Sequence, residues 1–182
     1  MAGLGDALTP APGTLWRVVL VLTLGLAAVL VEAAPVGLTP RGLPSPDLVF
    51  LVVAVVAVRR PDCVPILPVF ALGLVRDLLT DLPTGLGALT LVLSAEVLRT
   101  QAAALARASL LREAAIIAVV CLVAMALQYV LTLAMLAQPP YVMAVVRQWL
   151  LTVLAWPLVL IVVRGIAGVR AETADGSRRR GA

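Results

Sequence analysis

Apolar residues fill most of this chain, in six runs separated by short stretches rich in proline, glycine or arginine. The predicted membrane-spanning helices are residues 16–34, 45–60, 63–82, 84–99, 114–137 and 141–163. A helix needs about 20 apolar residues to cross a hydrocarbon layer ~30 Å thick, so a chain of 182 residues has room for little else. The pattern therefore predicts an all-α integral membrane protein with six transmembrane helices.

The second apolar run is unusually short. Leu48 to Val58 carries no charge, but as a helix it would reach only ~16 Å at 1.5 Å per residue. We therefore expect this span to include Leu43 to Asp47, or else Arg59 and Arg60, whose long stems can snorkel toward the membrane surface.

The segments outside the spans differ in character. Residues 1–15 are predicted to form a short cytoplasmic segment, and residues 168–182 a disordered, arginine-rich cytoplasmic tail after a single membrane domain, residues 16–167. Residues 99–113 are rich in alanine, leucine and arginine and contain no proline or glycine. This composition favours a helix lying along the membrane surface, and a plain solvated helix is the alternative.

The distribution of arginine predicts the orientation of the chain. All 14 basic residues are arginines, and basic residues near span ends tend to stay in the cytoplasm. With the amino terminus inside, 11 of the 14 lie on the cytoplasmic side, and only Arg41, Arg76 and Arg147 lie outside. Both termini are therefore predicted to be cytoplasmic, and the chain to be multi-pass.

Composition also limits the possible chemistry. The chain is 62 % hydrophobic and 13 % charged, with a mean hydropathy of +1.09, and it has no histidine or lysine. Histidine-ligated metals, a histidine base and a Ser-His-Asp triad are excluded. The two cysteines, Cys63 and Cys121, are far apart and are interpreted as core-filling residues. We expect no enzymatic activity, no metal and no cofactor.

The most unusual charges lie in and after the third apolar run. Asp77 and Asp81 are four residues apart, so they share one helix face, and Arg76 is adjacent to them. Acids within a span usually have partners, although acids that simply end a helix at the membrane surface are an equal alternative. We hypothesise that Arg147, in the sixth span, pairs with Asp77 or Asp81, and snorkelling of Arg147 is the alternative. Glu32, near a span end, is given no special role.

Small residues connect the third and fourth spans. Pro83 ends one helix and Gly85 begins the approach to the next, while Gly87, Thr90 and Ser94 recur at helical spacing. Such a stripe allows close helix packing in lipid, which we prefer to a ligand site. The candidate partner-binding or structural residues are Arg76, Asp77, Asp81, Pro83, Gly85, Gly87, Ala88 and Arg147.

Residues 73–99 resemble a specific family signature. The pattern is G-L-x-x-D-L-L followed by D-L-P-x-G-L-x-A-L-x-L, which is similar to the motif of the MreD family of bacterial rod-shape-determining membrane proteins. The matching residues are Gly73, Asp77, Leu78, Leu79, Pro83, Gly85, Leu86, Ala88 and Leu89. Two positions depart from the pattern, since Thr84 stands where leucine is commoner and Arg76 before the aspartate is unusual.

The resemblance implies a non-enzymatic scaffold of the cell-wall elongation machinery in the bacterial cytoplasmic (inner) membrane. It implies binding to an MreC-like protein, with the MreB filament and the peptidoglycan synthases as indirect partners, and a fold like the S-component of energy-coupling-factor transporters. We expect the MreC contact around Asp77 to Ala88, weak binding of membrane lipids by the cytoplasmic arginines, and no nucleic-acid partner.

The alternative is a substrate-binding membrane subunit of a transporter for a vitamin-like small molecule. Such a subunit needs a cavity lined by polar and aromatic groups, whereas aromatic residues make up only 4 % of this chain.

Overall fold

The computed structural model describes residues 15–33, 45–80, 84–105, 107–135 and 141–167. These residues form six α-helices and one 3-10 helix, and no β-strand occurs among them. The α-helices are α1 (Leu15–Ala33), α2 (Leu48–Arg59), α3 (Ile66–Leu79), α4 (Leu86–Leu105), α5 (Leu110–Ala134) and α6 (Val142–Ala167), and the 3-10 helix is Pro61–Cys63. The predicted all-α class is confirmed.

Three of these helices are long and apolar enough to cross a membrane. They are Leu86–Leu105, Leu110–Ala134 and Val142–Gly165, while the apolar helices Val18–Ala33 and Leu48–Arg59 are shorter. A helix overlaps each of the six predicted spans, but six membrane crossings remain a prediction. Nearly all of the predicted terminal segments, residues 1–15 and 168–182, lies outside the described residues.

Helix α2 is the centre of the bundle. Every residue from Val49 to Val58 is buried, and α2 packs against α1, α4 and α6. A helix that is apolar on all sides is typical of one enclosed by other helices. This explains how α2 can be short, because its sides are covered by protein. Both cysteines, Cys63 and Cys121, are also buried, as predicted.

Helices α3 and α4 pack closely against each other. A Cβ atom on Gly73 would overlap the backbone of Ala88, so the two helices approach through small residues. Gly87, Thr90 and Ser94 are buried along α4, and the hydroxyl groups of Thr90 and Ser94 donate to backbone carbonyls of the preceding turn at 3.0 and 2.6 Å. These residues are buried, as a packing surface requires, and the preference for packing over a ligand site stays a prediction.

The prediction of one surface helix over residues 99–113 is wrong. Helix α4 continues without a break to Leu105, because its alanine- and leucine-rich sequence favours further helix. A new helix then begins at Leu110, where the side chain of Ser109 accepts a hydrogen bond from the backbone N–H of Arg112 at 3.4 Å. The segment is therefore the end of α4, a short connection and the first turn of α5.

Candidate functional site

Arg76 holds three helices together inside the bundle. Its Nε lies 3.1 Å from Oε2 of Glu32 on α1, and its Nη2 lies 2.8 Å from Oδ2 of Asp47 at the start of α2. The three side chains are only 5–10 % exposed. A buried guanidinium needs such partners, because an uncompensated charge in a low-dielectric interior is costly.

The two carboxylates also cap the central helix. Oε1 of Glu32 accepts hydrogen bonds from the backbone N–H groups of Leu48 and Val49 at 2.6 and 3.1 Å. Oδ1 of Asp47 accepts from the N–H of Phe50 at 2.8 Å. The first N–H groups of a helix have no partner within it, and they carry partial positive charge that favours a carboxylate. Glu32 and Asp47 are thus balanced by Arg76 and by the helix end.

Helix α6 is connected to these three helices through the hydroxyl group of Thr152. The backbone N–H of Asp47 donates to Oγ1 of Thr152 on α6 at 2.9 Å, and Thr152 donates to the carbonyl of Gln148 at 2.7 Å. We call Glu32, Asp47, Arg76 and Thr152 the Arg76 network. It connects α1, α2, α3 and α6 through buried polar contacts, so it fixes the positions of four helices relative to one another.

Asp77, the neighbour of Arg76, caps α4. Its Oδ2 accepts hydrogen bonds from the backbone N–H groups of Gly85 and Ala88 at 2.9 and 3.1 Å, and the residue is 1 % exposed. Gly85 has φ +95°, in the left-handed region that favours glycine. A Cβ atom on Gly87 would overlap Oδ1 of Asp77, so the carboxylate fits only against a bare glycine backbone.

A small cavity lies beside these charges. Its volume is about 10 Å³, and its lining includes Asp47, Arg76, Thr90, Cys121 and Gln128. A second cavity, also about 10 Å³, lies along α5 and α6. Each is large enough for one water molecule and far below the ~300 Å³ of a typical ligand pocket. Among the described residues, no group of three or more acidic, histidine or cysteine side chains is placed to hold a metal ion.

A second ion pair holds the opposite end of α2. Arg59 contacts Glu113 of α5 with two nearly parallel bonds, Nη2 to Oε2 at 2.6 Å and Nε to Oε1 at 3.2 Å. The Glu113 side chain is 3 % exposed. Snorkelling of Arg59 was one of two alternatives for lengthening this span, and the structure instead pairs its guanidinium with Glu113 inside the bundle.

The structure brings together Arg76, Asp77, Gly87 and Ala88, but it does not bring Arg147 to them. Arg147 is exposed on α6, whereas the Asp77 carboxylate faces the start of α4. The predicted pair of Arg147 with Asp77 is therefore wrong. Asp81 and Pro83 lie outside the described residues, so the alternative pair with Asp81 stays untested.

Sequence reasoning missed the role of Glu32 and Asp47. Glu32 was given no role, yet it pairs with Arg76 at a separation of 44 residues. One feature of the sequence could have predicted this pairing. Both acids flank apolar runs on the side of the membrane that the arginine count assigns to Arg76, so the predicted topology already placed the three charges at one end.

A bundle of apolar helices whose buried charges are paired with one another or with helix ends is typical of an integral membrane protein. The model of the family described as rod shape-determining protein MreD matches residues 13–165. The chain belongs to the MreD family, and the resemblance seen in residues 73–99 is confirmed. Comparison with curated proteins finds no match, and comparison with solved structures finds none either. As a member of this family, the chain is a membrane protein involved in the determination of rod shape.

Proposed function

We propose that the chain is a non-enzymatic scaffold of the cell-wall elongation machinery that binds an MreC-like protein and helps to maintain cell shape. The observation that carries this proposal is the family match over residues 13–165. MreB and the peptidoglycan synthases would be indirect partners. The proposal includes residues 16–167 as a domain with six spans in the bacterial cytoplasmic membrane, an S-component-like arrangement, and both termini in the cytoplasm.

The buried charged side chains of the bundle have structural partners, which supports a scaffold role. Arg76, Asp77, Arg59 and Glu113 all hold helices together, and the cavities beside them have room for a water molecule rather than a vitamin-like ligand. The exposed arginines Arg107, Arg112 and Arg164 stand at the end predicted to be cytoplasmic, where they would meet anionic lipid headgroups.

The contact with MreC is proposed on the exposed side of α3 and α4. Asp77 and Ala88 are buried, so they shape this region from within and do not offer a surface. Their exposed neighbours are Leu78, Leu79 and Leu89, at 63, 48 and 45 %. In a membrane, two helices that pack closely through small residues form a rigid surface against which another helix can pack.

Photocrosslinking tests this contact. A photoreactive amino acid at Leu79 or Leu89 is expected to capture an MreC-like protein in native membranes. Leu122 and Leu133 on α5 are matched controls, because they are 46 and 48 % exposed, and they are expected to capture lipid alone. Capture of the partner from the α5 positions and not from α3 and α4 would contradict the proposed contact.

A further inference from the structure

The exposed apolar surface of α3 and α4 is much shorter than a hydrocarbon layer. On α3, every exposed residue from Leu67 to Leu79 is apolar, and this stretch rises about 18 Å. The exposed polar residues Thr84, two residues before α4, and Glu96, on α4, bound an apolar stretch whose helical part, from Leu86 to Glu96, rises about 15 Å. Both values lie well below the ~30 Å of a typical bilayer core.

The two short stretches lie at the same level. Gly73 packs against Ala88, and counting along the two antiparallel helices from this contact sets Leu67 close to the level of Glu96. Beyond Glu96, the exposed residues of α4 include the polar Thr100 and Gln101 as well as the apolar Val97, Ala103 and Ala104. We call the exposed apolar residues of this surface the α3–α4 face; they are Leu67, Phe70, Val75, Leu78, Leu79, Leu89 and Leu93.

The exposed apolar surface of α5, which packs beside α4, is taller. On α5, every exposed residue from Ala115 to Met135 is apolar, and this stretch rises about 30 Å, which matches a typical bilayer core. On α6, the exposed residues Arg147 and Arg164 stand about 25 Å apart. The exposed apolar surface is therefore taller along α5 than along α3 and α4.

We propose that the bilayer against the α3–α4 face of the free chain is thinned to about 20 Å, while it keeps nearly its full thickness beside α5. A bilayer of full thickness would bury Thr84 or the exposed Glu96–Arg99 ion pair, whose Nη1–Oε2 distance is 3.1 Å, in hydrocarbon. Thinning leaves these groups at the headgroups.

Arg147 lies on α6, which packs against α2 and α5 and does not border the α3–α4 face. It has no ion-pair partner among the described residues, and it is exposed about 7 Å along α6 from Val142. The inference rests on the proposed membrane-spanning arrangement and not on the MreC contact. A partner protein that docks on the α3–α4 face would replace the thinned lipid there.

Spin labels at single cysteines test this inference. Thr84→Cys and Glu96→Cys are labelled one at a time in the full chain, with the buried Cys63 and Cys121 replaced by alanine. The protein is reconstituted alone in dioleoylphosphatidylcholine vesicles. Collision rates with oxygen and with a water-soluble nickel complex then give the depth of each label. Both labels are expected at headgroup depth, although the two positions are only about 18 Å apart.

The matched control pair is Ala115→Cys and Leu133→Cys on α5, about 27 Å apart, which are also expected near the two headgroup layers. A label at Thr84 or Glu96 that lies deep in hydrocarbon would overturn the inference. Shielding of both labels with spin–spin broadening would overturn it too, because a second copy would then cover the face. If the control pair does not lie near opposite headgroup layers, the proposed membrane arrangement itself has failed.

Lengthening the apolar surface gives an independent readout. The variant Glu96→Leu with Arg99→Leu adds about one apolar turn to α4. In dioleoyl bilayers it is expected to raise the midpoint of thermal unfolding by about 2–4 °C, with no rise in the thinner dimyristoleoyl bilayers. Arg112→Leu on α5 is the control and is expected to show no such dependence on lipid. Equal shifts of the double variant in both lipids would contradict the inference.

Discussion

Replacing Arg76 with methionine is expected to lower the free energy of unfolding by about 3–5 kcal/mol. The substitution keeps the length of an apolar stem but removes the cation between Glu32 and Asp47, which are 2.8–3.1 Å from the guanidinium. Two buried carboxylates would then face each other without a counter-charge. Denaturation of the purified protein in detergent, followed by tryptophan fluorescence, measures the loss.

Arg147→Met is the matched control for this experiment. Arg147 is exposed and has no ion-pair partner among the described residues, so the same substitution is expected to change stability in detergent by less than ~0.5 kcal/mol. Adding Glu32→Gln to Arg76→Met is expected to recover part of the loss, because one of the stranded charges is removed. Equal effects of Arg76→Met and Arg147→Met would show that the Arg76 network does not stabilise the bundle.

Gly87→Ala is expected to destabilise the protein by about 2–3 kcal/mol. The added methyl group would overlap the Asp77 carboxylate and push it away from the start of α4, so the backbone N–H groups of Gly85 and Ala88 would lose their acceptor. Thermal and denaturant unfolding in detergent measure the effect. Gly165→Ala, at a position where a Cβ atom meets nothing within 4 Å, is the matched control with little expected change.

A double-mutant cycle identifies the cause of the Gly87→Ala effect. In an Asp77→Ala background the carboxylate is already absent, so Gly87→Ala should cost much less than it does in the native chain. If the two changes are simply additive, the contact between Gly87 and Asp77 is not the origin of the loss.

The sequence predicts the helices of this protein well, because uninterrupted apolar runs between proline-, glycine- and arginine-rich stretches leave few alternatives. It predicts less well where a helix ends. Residues 99–105 continue α4, and neither composition nor charge distinguishes this extension from a separate surface helix. Gly87, Thr90 and Ser94 were interpreted as a packing stripe, and all three are buried, with Gly87 against the Asp77 carboxylate.

The partners of the charges could not be predicted from the sequence. Ion pairs between helices depend on how each helix is rotated about its axis, and a helix such as α2, which is apolar on every side, carries no periodic signal of that rotation. Asp77 was therefore hypothesised to pair with Arg147 of α6, although its carboxylate faces α4. Glu32 was overlooked as the partner of Arg76. In both cases the predicted membrane side was compatible with the contact, and only the rotation was missing.

Affinity purification of the tagged chain from its native membrane in mild detergent, with mass spectrometry of what remains bound, tests the proposed scaffold role most directly. The account predicts recovery of an MreC-like protein, with peptidoglycan synthases in smaller amounts, from the native chain and equally from the control variant Arg147→Met. Recovery of ATPase subunits together with a vitamin-like small molecule, and no MreC-like protein, would contradict the scaffold role and make this chain a transport subunit.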